Sequence, residues 1–194
     1  MRPDVILGID LSLRGLALFA CPVDWDMRWE RTKAVTLSVP LRKDATQREQ
    51  IDRLRMLALD VRTFAIRVGT THAVVESYAF NMSTMAHSLG ELGGVVKLEL
   101  MRECGIVCGV VNQSSARKFV YGQCPPRGMT DTARKRWLLE PLLMAGAKLE
   151  DHNQGDACVV TQFALSDFGA PCLSNLLGEP EVKKRAKKVK LVAA

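Results

Sequence analysis

The sequence predicts an α/β fold in which a mixed five-stranded sheet carries helices on both of its faces. Short apolar or β-branched runs at residues 4–11, 16–21 and 33–39 predict three leading strands. Further runs at 73–77 and 105–111 alternate with long helical stripes. The leading strands fit an antiparallel meander, and the later strand–helix–strand segments fit right-handed parallel crossovers.

The helices are predicted from capping residues and apolar periodicity. Thr46 and Glu49 match a capping box, and an apolar stripe runs from there to Val68, where Gly69 ends the first helix. The other helices are predicted at 84–104, 115–121, 131–144 and 153–168. The resulting order, β-β-β-α-β-α-β-α-α-α, is that of the ribonuclease H-like fold.

The length of 194 residues, 47% of them apolar and 25% charged, is typical of one globular domain. This composition excludes a disordered chain, collagen, a coiled-coil rod and a multipass membrane protein, since no apolar run approaches the ~20 residues that span a bilayer. We expect one ribonuclease H-like domain at 1–169 and a basic, disordered tail at 170–194. The six cysteines lack metal-site spacing, and the first residues are not a signal peptide, so a cytoplasmic location is expected.

The net charge of +6 is concentrated at the end of the chain. From Glu179 onward there are six basic and two acidic residues, a net +4, which leaves +2 for the rest. Net charge alone is therefore a weak argument for nucleic-acid binding. The tail is expected to be solvated; it could also add salt-sensitive DNA affinity or act as a nuclear import signal.

Acidic residues interrupt apolar elements at three places. Asp10 shares one face of the first strand with Ile6 and Gly8, Glu76 follows the apolar part of the fourth strand, and Asp156 lies on an apolar face of the last helix. A carboxylate in such a position is costly unless it is paired or bound to a metal. Together the three favour a shared site in which a divalent cation removes their mutual repulsion.

Each acid also has a structural alternative. Asp10 can hydrogen-bond the turn at residues 12–15, Glu76 can pair with Lys or Arg, and Asp156 can favour the positive end of its helix dipole. Asp151, His152 and Asn153 precede Asp156 near the start of the same helix. One of these three is expected to cap the helix and another to supply a fourth ligand or a proton-transfer group.

Four segments resemble, in order, motifs of RuvC-type Holliday junction resolvases, and the resemblance spans residues 4–168. The segments are Gly8-Ile9-Asp10 with Gly15, Val74 to Phe80, Ser88 to Gly94, and Gly155-Asp156-Ala157. The residues around 25–31 and the basic tail are more similar to a phage or divergent member. Asn153 stands where the family usually has Asp or His.

The resemblance implies a magnesium-dependent endonuclease that resolves four-way DNA junctions by paired nicks. Two Mg²⁺ ions, or Mn²⁺ in their place, would act in each site. Asp10 would contact both ions, Glu76 and Asp156 one each, and Asn153 is the candidate fourth ligand. Symmetric cleavage implies a homodimer, with the helix at 84–104 as a candidate interface. No nucleotide cofactor and no membrane partner are expected.

DNA contacts are predicted at basic and aromatic residues near the acids. The basic candidates are Arg117, Lys118, Arg134 and Lys135. Tyr78 and Phe80 are candidates for stacking on unpaired bases, with burial in the core as the alternative. A solvated helix face is the alternative for the basic residues around 134–136.

Other functions fit part of the pattern. A different nuclease of the same fold would use the same acids on branched DNA, linear duplex or RNA–DNA hybrid. A sugar kinase or actin-like ATPase has a similar first phosphate loop but needs a second half for which this chain has no room. A non-catalytic DNA-binding module would not be expected to keep Asp10, Glu76 and Asp156 together.

Overall fold

The computed structural model describes residues 4–77, 85–177 and 190–192. Its elements are β1 (Val5–Asp10), β2 (Leu16–Pro22), β3 (Lys33–Leu37), α1 (Gln47–Val68), β4 (His72–Glu76), α2 (Met85–Leu98), β5 (Val107–Val111), α3 (Gln113–Tyr121), α4 (Asp131–Met144), α5 (His152–Asp167) and β6 (Lys190–Val192). A π-helical turn, Glu99–Glu103, continues α2. Up to β6, the predicted element order is confirmed.

The strands form one sheet in the order β3-β2-β1-β4-β5-β6. β1, β2 and β3 pair antiparallel, whereas β4 pairs parallel with both β1 and β5. The predicted meander followed by parallel crossovers is therefore confirmed. Because β1, β4 and β5 run in the same direction, their carboxyl ends meet at one edge of the sheet.

The sheet has a sixth strand that the sequence did not predict. β6 pairs antiparallel with β5, with Lys190 opposite Val110 and Val192 opposite Cys108. The five predicted strands are all present, and the sixth was missed because this segment is three residues long and directly follows a lysine-rich run, so it gives no periodic signal. The expected tail also has structure at its start, where Leu173 is buried and its N–H donates to Gln162 Oε1 at 2.8 Å.

Local sequence signals account for the helix ends. Thr46 and Glu49 form the predicted capping box of α1, and Gly69 ends that helix with φ +75°. α3 begins two residues earlier than predicted because the Asn112 side chain accepts the Ser115 N–H at 3.1 Å. In the described part of the chain, no helix is both long enough and apolar enough to cross a membrane.

Each face of the sheet has its own hydrophobic core. On one face, hereafter the α5 face, Ile6, Phe19 and Val74 pack with α3, α4 and α5. On the other, the α1/α2 face, Leu7 and Ile9 pack with α1 and α2. The alternation predicted for β1 is confirmed, and it directs Asp10 toward the α5 face.

Candidate active site

Two of the three predicted acids lie side by side at the ends of adjacent strands. The parallel register pairs Ile9 of β1 with Val75 of β4, so Asp10 and Glu76 are the next residues on neighbouring strands. Their side chains are hydrogen-bonded to each other. Since a carboxylate only accepts hydrogen bonds, one of the two must carry a proton in this arrangement.

A glycine in β1 brings the third acid to the same place. A Cβ atom at Gly8 would lie 2.2 Å from Thr161 Oγ1 and 2.3 Å from the Ala157 carbonyl oxygen, so α5 rests directly on the backbone of β1 there. Asp156 is the residue before Ala157, and Asp10 is two residues beyond Gly8 on the same face of β1. The motif glycine therefore has a packing reason: no other residue allows α5 this close.

The arginine of α3 is the direct partner of the third acid. Arg117 Nε donates to Asp156 Oδ1 at 3.1 Å, and Arg117 Nη2 donates to Asp156 Oδ2 at 2.8 Å. The two-point pair matches the fork of the guanidinium to the two carboxylate oxygens. Arg117 was predicted to contact DNA; in the structure it neutralises a predicted metal ligand.

Burial shifts the pKa of each acid in this cluster upward, and like charge adds to the shift for Asp10 and Glu76. Burial is the main cause of the raised pKa of Asp10, which is 7% exposed; the hydrogen bond that its protonated form donates to Glu76 and the charge of Asp156 add to it. Burial also raises the pKa of Glu76 and of Asp156, while Arg117 lowers both. The cluster thus holds more negative charge than its one arginine balances.

Gln113 is a neighbour of this cluster that the sequence analysis missed. It is 6% exposed and lies beside Asp156, whose pKa it lowers, although no side chain or backbone group meets its amide in hydrogen-bond geometry. Buried amides normally have hydrogen-bond partners, so this one is unusual. The available signal was its position, immediately after β5 at the carboxyl edge of the sheet.

The three candidates at the start of α5, Asp151, His152 and Asn153, have different surroundings. Asp151 caps α5: its Oδ1 accepts the Gln154 N–H at 2.8 Å, and its Oδ2 accepts the Thr36 hydroxyl at 2.8 Å. His152 is half-buried, and its charge lowers the pKa of both Asp156 and Asp131. The Asn153 amide faces Gly15, where an added Cβ would lie 3.2 Å from Asn153 Nδ2. The expectation that one of the three caps the helix is met by Asp151.

The remaining DNA-binding candidates lie on α3 and α4 or outside the described residues. Lys118 is exposed beside Arg117. Arg134 and Lys135 are exposed near the start of α4, and Lys135 pairs with Asp131 at 2.9 Å. The charge of His152 also lowers the pKa of Asp131, so this end of α4 and the start of α5 are within electrostatic reach of each other. Tyr78 and Phe80 lie outside the described residues.

Comparisons with solved structures identify the fold. Thermus thermophilus RuvC matches with a TM-score of 0.58 and 19% identity, over 86% of this chain and 97% of that one. The same protein in complex with a Holliday junction substrate matches at 0.57 and 19%, over 81% and 90%. The chain has the RuvC fold.

The RuvC fold confirms the predicted ribonuclease H-like α/β class. Yeast mitochondrial Ydc2, a Holliday junction resolvase, matches with a TM-score of 0.48 and 10% identity, over 83% of this chain and 78% of that chain. No protein-family model and no curated protein matches the sequence.

The cluster at the edge of the RuvC fold has the donor chemistry of a divalent-cation site. Asp10 and Glu76 offer hard carboxylate oxygens in contact with each other, which suits Mg²⁺ or Mn²⁺. Asp156 is within electrostatic reach, but Arg117 holds both of its oxygens. Accordingly, within the described residues no three His, Cys, Asp or Glu side chains stand together as a metal-binding group. Two of the predicted ligands, Asp10 and Glu76, lie in contact, and the third, Asp156, is paired with an arginine.

Proposed function

We propose that this protein is a structure-selective endonuclease that resolves four-way DNA junctions by paired, symmetric nicks. The observation that carries the proposal is the contact of Asp10 with Glu76 at the carboxyl edge of a RuvC fold, with the charge of Asp156 within reach of both. Thermus thermophilus RuvC, which shares this fold, has been solved with a Holliday junction substrate. The order of the sequence motifs supports the same substrate class.

The acids would hold Mg²⁺ or Mn²⁺, two ions per site. Asp10 would contact both ions, Glu76 and Asp156 one each, and Asn153 or His152 is the candidate for a fourth position. When bound, the ions supply an activated water and stabilise the oxygen that leaves the phosphate. Asp151 is the weakest candidate, because capping α5 and binding Thr36 already occupy both of its carboxylate oxygens.

The chain's own residues would position the DNA around this cluster. Lys118, Arg134 and Lys135 would contact phosphates on either side of the cleaved bond, with Tyr78 and Phe80 stacking on bases at the junction centre. His152, half-buried between Asp131 and Asp156, would hold or transfer a proton. The packing of α5 on β1 excludes bulk water from beneath the acids, which strengthens the interactions between their charges and the groups around them.

Paired nicks require two copies of the site, so we include a homodimer in the proposal. α2 offers a face for it: Gly94 has nothing within 4 Å of an added Cβ atom, and Leu98 is 57% exposed. Such a face permits close approach of a second helix.

The proposal is tested by incubating the protein with Mg²⁺ and either a four-way junction or a linear duplex assembled from the same arms. We expect two symmetric nicks in the junction, no cleavage of the duplex, and loss of cleavage in Asp10→Asn. The products should carry a 5′-phosphate and a 3′-hydroxyl.

Other substrates in the same assay separate the proposal from its rivals. Equal cutting of the linear duplex, or preferential cutting of an RNA–DNA hybrid, would replace the resolvase with another nuclease of this fold. Tight junction binding without any cleavage in Mg²⁺ or Mn²⁺ would instead indicate a non-catalytic DNA-binding module.

A further inference from the structure

The ion pair between Arg117 and Asp156 is the best-shielded salt bridge among the described residues. The Arg117 side chain is 17% exposed and that of Asp156 is 9% exposed, and both carboxylate oxygens accept hydrogen bonds from the guanidinium. By contrast, the pair of Arg62 with Glu99 has one contact of 3.1 Å and exposures of 35% and 23%. A buried two-point pair of this kind holds its carboxylate firmly, since breaking it leaves an uncompensated charge.

The same two oxygens are the atoms that a divalent cation would need. A guanidinium and a metal ion cannot both occupy them, and their positive charges repel each other at this distance. If neither the guanidinium nor the metal ion were present, the three acids would have no counter-charge. The cluster therefore accommodates one cation at Asp156 at a time.

Gln113 gives a second, independent indication that the surroundings of Asp156 are incomplete. Its amide is buried against Asp156, whose pKa this contact lowers, but neither amide atom has a partner at full hydrogen-bond geometry in the described residues. An amide can accept a hydrogen bond from a water or a guanidinium and donate one to a carboxylate. While Arg117 is paired with Asp156, the acceptor capacity of the Gln113 oxygen is not used.

We propose that Arg117 and a divalent cation compete for Asp156, so that the arginine neutralises this acid in the metal-free protein and releases it when the ion binds. This inference rests on the proposed function. The released guanidinium remains tethered to α3 beside the cluster, where Gln113 is available to it, and it can then meet a DNA phosphate. Arg117 is thus a positioning residue for metal uptake as well as a DNA contact.

The test is a titration of the full-length, DNA-free protein with Mn²⁺, in which electron paramagnetic resonance measures the unbound ion. Arg117→Gln removes the competing charge and keeps a polar, though shorter, side chain. Arg117→Lys keeps the charge but loses the fork. Arg62→Gln is the matched control, because it deletes an arginine–carboxylate pair on the α1/α2 face, away from the acids.

We expect the wild type to bind one Mn²⁺ ion tightly and a second more weakly. Arg117→Gln should tighten the weaker site by about tenfold, a normal size for coupling between two ligands. Arg117→Lys should fall between the two, and Arg62→Gln should match the wild type. Equal affinity in wild type and Arg117→Gln, or weaker binding in the variant, would overturn the proposal.

The proposal stays testable if Arg117→Gln fails to fold. A second experiment uses ¹⁵N-labelled wild type and Mg²⁺, which is diamagnetic, in place of Mn²⁺. Without metal, the Nε–H signal of Arg117 should be protected from exchange with solvent. At saturating Mg²⁺ the signal should shift and lose that protection. An unchanged signal at saturation would show that the arginine never leaves Asp156.

The two proposals fail in different ways. If the wild type binds no divalent ion, the proposed metal-dependent nuclease fails. If it binds ions and cuts junctions while Arg117→Gln leaves the affinity unchanged, the competition alone is wrong.

Discussion

The two faces of the sheet differ in how many buried polar residues they carry. All six buried polar residues in the described part of the chain lie on the α5 face or at its edge: Asp10, Gln113, Gln154, Asp156, Thr161 and Gln162. The core of the α1/α2 face contains apolar residues and one buried cysteine, Cys108. Both faces cover the same strands, so the difference does not come from the sheet itself.

This difference shows that the residues which cost folding free energy are concentrated on the face that carries the proposed site. Buried polar groups cost free energy unless they are satisfied, and on the α5 face several serve a packing purpose. Thr161 Oγ1, for example, lies within hydrogen-bond distance of the Phe19 and Ala157 carbonyls. Asp10, Asp156 and Gln113 instead lie at the proposed site, where Asp156 pairs with Arg117.

The largest effect should follow from filling the contact between β1 and α5. In Gly8→Ala, the new Cβ would overlap the Ala157 carbonyl and Thr161, which are backbone and short side-chain atoms that cannot move aside separately. We expect a loss of about 3 kcal/mol or more in the free energy of unfolding, and displacement of Asp156 from Asp10. Urea denaturation and Mn²⁺ binding measure the two effects.

Gly94→Ala is the matched control on the α1/α2 face. Within the single chain its Cβ would meet nothing within 4 Å, so the change from glycine to alanine inside α2 should stabilise the monomer, measured at a concentration below that of the proposed dimer, by about 0.5–1 kcal/mol. If Gly8→Ala is as stable as the wild type, α5 does not lie where the structure places it.

A smaller effect is expected from the residue next to Asp10 on the other face. Ile9 is fully buried in the α1/α2 core. Ile9→Val removes one methylene and should cost about 0.5–1.5 kcal/mol. Because its side chain points away from Asp10, Mn²⁺ affinity and junction cleavage should be unchanged. A loss of metal affinity comparable to the effect of Gly8→Ala would mean that the two faces are not independent.

The fold was predictable because its signals are local. Period-two alternation placed Ile6 and Ile9 on opposite faces, and the capping box at Thr46 fixed the start of α1. β6 was not predictable, since a three-residue strand gains its stability from pairing with β5 and leaves no pattern of its own.

For the site, the sequence identified the acids but not their partners. A carboxylate in an apolar strand is unusual, so the hydrophobic pattern alone identified Asp10 and Glu76. That Arg117 would meet Asp156, rather than DNA, depends on how α3 packs against α5 across 39 residues of chain. Gln113 carried no sequence signal besides its place after β5, because glutamine is ordinary in the first turn of a helix.

Removing one acid should make the metal-free protein slightly more stable. The folded protein raises the pKa of Asp10, so it binds that proton more tightly than the unfolded chain does. Stability from this group is therefore present at low pH and is lost as the pH rises from about 3.9, the unfolded value, through the raised folded pKa. Above that window, Asp10→Asn should unfold about 2–3 °C higher than the wild type in EDTA.

The pH dependence isolates the cause. Carboxylates with lowered pKa values elsewhere, such as Glu49 and Asp131, act in the opposite direction in both proteins and cancel in the difference. The gap between Asp10→Asn and wild type should therefore close in acid and open toward neutral pH. Saturating Mg²⁺ should reverse the order by stabilising only the wild type. If this difference in unfolding temperature does not vary with pH, ionisation of Asp10 does not destabilise the folded protein.

The smallest effect on stability, and the sharpest on DNA binding, is expected on α4. Lys135 is exposed and pairs with Asp131 one turn away, so Lys135→Gln should cost at most about 0.5 kcal/mol in the free energy of unfolding. If Lys135 contacts a phosphate, the substitution lowers junction affinity and reduces the slope of log affinity against log salt by about 0.9. Arg48→Gln, which removes another exposed basic residue paired with an aspartate one turn away, this time on α1, should leave that slope unaltered, because the α1/α2 face lies away from the acids. Equal slopes for the wild type, Lys135→Gln and Arg48→Gln would show that Lys135 does not contact a DNA phosphate.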